Sequence, residues 1–139
     1  MPSDQELFDE LSFYTLAHGD PAFIHENSAD AWRAQQADET TKPMAVIFAV
    51  MGLYLYLEKG FTGKQVQLAH MRMARRPRSW PTLPLPAQQA TIRVADVVAT
   101  KPGAARDAMI RQWCASVWDT WQESRTQIVA LVKSELDMD

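Results

Sequence analysis

Three imidazoles, one thiol and a handful of carboxylates are the groups in this chain best suited to chemistry. His18, His25 and His70 are its only histidines. Neutral imidazole nitrogens are ligands for zinc, iron, nickel or manganese, and a carboxylate completes such a set or acts as general base toward a bound water. Asp38 and Glu58 are the carboxylates expected to join them. The spacing itself is unspecific, because the chain contains no His-x-x-x-His, His-Glu-x-x-His or Glu-x-x-His. Cys114 is the single cysteine, which rules out an intrachain disulfide and a cysteine-based zinc cluster and suits a reducing cytoplasm. It sits on an apolar stripe, where a thiol is expected to be inert packing. Tyr14, Trp32, Gln35, Trp113 and Cys114 are the residues from which an apolar pocket for a small molecule could be built.

Charge adds a further possibility. Residues 1–41 hold nine acids and a single base, Arg33, whereas residues 59–93 hold seven bases and no acid. These halves either face one another across the fold or leave an anion-binding patch around Arg72, Arg75, Arg76 and Arg78. General nucleic-acid binding is disfavoured by the acidic first third and by the lack of aromatics alternating with the arginines.

The elements that must position these groups are helical. Leu7, Leu11, Tyr14 and His18 repeat at the helical period over about Asp4–His18, with Ser3 as N-cap and Gly19 beyond the C-terminus. Asp20 followed by Pro21 predicts an N-cap and first turn of a second helix reaching about Asp38. A third, about Pro43–Glu58, contains the run "MAVIFAVMGLYLYL", whose 14 residues fall short of the ~20 that span a bilayer. It reads as a buried core helix, the most enclosed of the bundle, and not as a membrane segment. Thr62 caps a fourth helix ending before Pro77. The proline-rich stretch from Pro77 to Gly103 reads as an extended strap laid over the bundle, with one short helical turn or strand-like piece at "VADVVA". A last long helix runs from near Gly103 to Leu136, or breaks near Ser124. The expected architecture is one all-α domain over residues 1–139, a bundle of about five helices.

On the helical wheels all three histidines face inward. His18 continues the buried stripe of the first helix, and His70 lies within the stripe of Val66, Ala69 and Met73. In the second helix His25, Ser28, Gln35 and Asp38 share the arc of Ile24, Ala31 and Trp32, while Glu26 and Arg33 point away. A buried imidazole must find a partner, and three converging ones would form a metal site between facing helices.

The segments "FYTLAHGDPAFIH", "TKPMAVIFAVMGLYLYLEKGFTGKQVQLAHMRMARR", "WPTLPLP" and "WCASVW" resemble, in order and over nearly the whole chain, a family of small bacterial proteins known as a domain of unknown function. The resemblance implies that His18, Asp20, His25, Lys42, Glu58, Gly60, His70 and the Trp113–Cys114 pair are motif positions. It also implies a departure, because relatives carry histidines near positions 27 and 36, where this chain has Asn27 and Gln36.

Two functions follow as expectations. One is a metal- or small-ligand-binding protein, with enzymatic activity left open. The other is a non-catalytic interaction or structural protein, a homo-oligomer in which buried polar groups only fix helix packing.

Overall fold

Ser3 opens the first helix, α1 (Asp4–Ala17), through a reciprocal capping box with Glu6. The computed structural model describes residues 1–138, and Asp139, the last residue of the expected domain, lies outside them. Leu11 and Thr15 are the buried positions of α1, whereas His18 lies past its end and is exposed.

The second helix, α2 (Ile24–Gln36), starts three residues later than Asp20-Pro21 predicts. Residues 20–23 form a tight turn in which the Asp20 carboxylate accepts from Ile24 N at 3.1 Å and Phe23 adopts a left-handed backbone with φ 55°. The turn is held from outside by the helix α4 (Gly63–Ala74). Lys64 N donates to Ala22 O at 2.9 Å, so one of the unpaired amides at the start of α4 is satisfied by this loop. Gly63 is needed there, since a Cβ would lie 2.0 Å from Phe23 O. Thr62 and Gln65 form the second capping box, as the sequence leads one to expect.

Helix α3 (Pro43–Glu58) has the expected bounds and the expected burial, with Ile47, Val50, Met51, Leu53 and Leu55 shielded from solvent. Enclosure is shared, however. Eight of the thirteen residues of α2 are buried, against nine of the sixteen in α3. The reason is placement: α2 packs against α1, α3, α4 and the helix α6 (Ala104–Thr120) at once. A polar helix surrounded on most sides must bury polar residues.

Beyond α4 the chain departs from a five-helix bundle. "VADVVA" takes the helical alternative as a short helix, α5 (Val94–Ala99), and the last helical region takes the alternative of a break near Ser124, dividing into α6, a 3-10 turn (Gln122–Ser124) and α7 (Arg125–Leu136). Seven α-helices result among the described residues, and no strand. The segment before α5 is irregular and only in part a strap, with Leu83 and Ala90 buried while Leu85 stays 41% exposed. Trp113 and Trp121 are the largest side chains wholly enclosed in the core. No helix among the described residues is long and apolar enough to cross a membrane.

Candidate metal centre

Glu26 and Asp30 stand one helical turn apart on α2, so their carboxyl groups share a face. That face is inside the molecule: Glu26 is 9% and Asp30 1% exposed. Asp30 reaches the backbone of α3 at Gly52, where a Cβ would sit 2.1 Å from Asp30 Oδ2. The lack of a side chain at Gly52 is therefore what makes room for the carboxylate.

His70 enters the same space from α4. Its Nε2 lies 2.7 Å from Phe48 O, and because a carbonyl can only accept, Nε2 carries the proton. Nδ1 is then a bare lone pair, and it faces Glu26 Oε2 at 3.7 Å. Stacking on Phe48, with ring centroids 5.1 Å apart, fixes the ring plane. One donor atom each from Glu26, Asp30 and His70 can be chosen so that all three lie within 4.8 Å of one another.

Among the described residues, none outside the cluster donates to the buried carboxylate oxygens that face into it. Both oxygens of Asp30 and Oε2 of Glu26 are buried without a hydrogen-bond partner. Burial, and secondly the neighbouring Glu26 carboxylate, hold Asp30 well above the ordinary 3.8, with Arg33 acting weakly the other way. Burial lowers His70 below its ordinary 6.5, against the pull of Glu26 and of the Phe48 carbonyl. Three acceptors facing each other repel unless a proton or a cation lies among them. Donors about 2.0–2.2 Å from one ion at tetrahedral angles stand ~3.4 Å apart, so any pair near the 4.8 Å limit would have to close by more than about 1 Å around a metal. A histidine whose other nitrogen donates to a backbone carbonyl is the usual arrangement for a metal ligand.

A model of a family of unknown function, DUF5946, matches residues 3–122 of the 139. The chain belongs to that family. No curated protein and no solved structure matches it. The DUF5946 match spans α1 to α6, and so contains Glu26, Asp30 and His70, while α7 lies beyond it.

In this DUF5946 chain the expected ligand set is dispersed. His18 Nε2 pairs with Asp107 at 3.3 Å near Tyr14, and His25 Nδ1 shares a hydrogen bond with Thr15 at 2.9 Å. Burial lowers His25 as well. Asp38 is exposed and accepts from Thr40, which holds its carboxyl below the ordinary range. Glu58 binds Arg125 and accepts from Trp118 Nε1 at 2.8 Å. Of the five expected ligands, only His70 is in the three-membered cluster. The three imidazoles belong to three separate neighbourhoods because His18 lies past the helix end and His25 leans toward α1, not α4.

The other candidates are also redistributed. Tyr14 donates to Asp107 at 2.8 Å, Trp32 stacks on Phe8, and Trp113 Nε1 donates to Gln35 Oε1 at 2.9 Å. The Cys114 thiol is wholly buried, donates to Asn27 O, and is pushed far up by burial, which makes it inert. Of these five, Gln35 and Trp113 meet, while Tyr14 and Trp32 have their partners elsewhere. Among the basic residues, Arg72 pairs with Asp137 at 3.0 Å and Arg78 with the buried Glu135, so half of the expected anion patch is neutralised.

Glu26 and Asp30 are the residues that helical-wheel reasoning missed. It placed Glu26 on the outside by assuming that α2 buries one face. One signal was present: two like charges at i and i+4 weaken a helix unless something between them compensates.

Proposed function

We propose that the protein binds one divalent transition-metal ion through Glu26, Asp30 and His70. The observation that carries this reading is the convergence of a lone-pair nitrogen and two buried carboxyl groups whose inward oxygens receive no hydrogen bond from the residues around the cluster. Two oxygens and one imidazole nitrogen suit manganese, iron or zinc, and three protein ligands leave positions open. A metal held there would supply a Lewis acid and an acidified water. The residues' own part is structural: the α2 register holds the carboxylates side by side, and the Phe48 carbonyl orients His70.

A proton-held pair is the second reading, favoured by the raised Asp30 carboxyl. There Asp30 stays protonated and donates to Glu26, and the cluster serves packing alone.

Metal content after exposure to zinc, manganese and ferrous iron tests the two. About one ion per chain is expected, with a gain of about 2.7 kcal/mol in unfolding free energy at a hundredfold excess over Kd. Asp30→Asn and Glu26→Gln should each weaken binding by at least about a hundredfold. Absence of stoichiometric metal, with a Tm indifferent to metal and chelator alike, would sink the proposal. A protonated-carboxyl infrared band at neutral pH that vanishes in Asp30→Asn would then establish the proton-held pair.

A further inference from the structure

Beside the cluster, a groove of about 240 Å³ opens to solvent between the end of α2, the first turns of α3 and α4. Its walls are Met44, Ala45 and Phe48, its rim carries Arg33 and Lys42, and His70 lines it while also belonging to the cluster. Met44 is 41% exposed, which leaves apolar surface open beside the two cations. We infer that this groove binds a small anion with an apolar body, its charged head held by Arg33 and Lys42 and its body against Met44, Ala45 and Phe48.

Charge complementarity argues for that occupant. Arg72, Arg78, Arg93 and Arg125 all have carboxylate partners. Arg33 and Lys42 have none among the described residues. Arg33 is near enough to act electrostatically on Asp30, His25 and His70, yet forms no ion pair with Asp30 or Glu26. Neither rim cation is among the ion pairs of the described residues, so both remain uncompensated whether or not the cluster holds a metal. An anionic head completes the balance. The volume lies below the range for drug-sized ligands, which limits the body to a short chain or a single ring.

This deepens the metal reading by naming a ligand class for the same site, and it rests on that reading only for the ligand's neighbour. Binding itself is measured on metal-depleted protein by calorimetric titration with hexanoate, hexyl phosphate and hexanol at low salt. Saturable binding of at least one anion is expected, at least about tenfold tighter than hexanol and weakened about tenfold or more in Arg33→Gln or Lys42→Gln. Preference for hexanoate or for hexyl phosphate identifies the head group, and either supports the inference. No binding of either anion, equal binding of hexanol, or undiminished binding in both variants overturns it. Arg33 and Lys42 are exposed, so an unchanged unfolding curve for each variant separates lost contacts from lost fold. Asp30→Asn, which abolishes the metal site, is expected to keep hexanoate binding in metal-depleted protein, so the two readings fail independently.

Discussion

Asp30 carries a carboxyl group from which burial has removed water and to which the protein returns no donor. In the metal-free protein this has a pH signature. A carboxyl raised in the folded state costs nothing below the unfolded value of about 4, where both states are protonated. As pH rises from there toward the folded value, the unfolded chain releases its proton and the folded one does not, so stability falls. Asp30→Asn removes that slope. Urea unfolding of metal-depleted protein should show the variant more stable than the parent by about 1–3 kcal/mol at pH 7, the range for relieving a buried group without partners, and by less at pH 4. Saturating metal should reverse the order, because only the parent binds. Residue type alone showed Asp30 as one of nine acids in the first 41 residues; its role came from what surrounds it.

The elements explain why those surroundings arise. α2 is bracketed by four helices, and its polar residues become cross-links. Gln35 is the clearest case: its Oε1 accepts from Trp113 on α6 while its Nε2 donates to Ile92 O before α5, both at 2.9 Å. Gln35→Ala would leave an indole N–H and a carbonyl unpaired in the core, so a loss of about 2–4 kcal/mol in chemical denaturation is expected. The sequence marked Gln35 as inward, correctly, because it shares an arc with Ile24 and Trp32. It could not name Trp113, since partners 78 residues apart are joined only by packing. At the start of α2 the same limit applies. Asp20-Pro21 is a sound local signal for a helix start, yet the contact of Ala22 and Phe23 with α4 moves that start to Ile24.

Across the whole molecule, the helices that close the bundle are tied at Glu58, which links α3 to Trp118 on α6 and to Arg125 on α7. Arg125 first, and Trp118 with it, hold the Glu58 carboxyl below its ordinary 4.5, against a burial effect of opposite sign. The sign is the reverse of Asp30: this stability is present above the unfolded value and is lost as pH falls through the depressed folded value. Glu58→Gln should therefore flatten the acid limb of a Tm-against-pH curve below about pH 4.5. At neutral pH the loss should be small, since the pair is partly exposed and screened. The all-helical class, the ends of α1, α3 and α4, the caps at Ser3 and Thr62 and the apolar character of α3 were all set by local sequence, because capping and helical periodicity act within a few residues. How many neighbours α2 has, and hence that Glu26 and Asp30 are inside while His18 is out, was decided by tertiary packing. A helical period states which side chains share a face; only the arrangement of the other helices states which faces are covered.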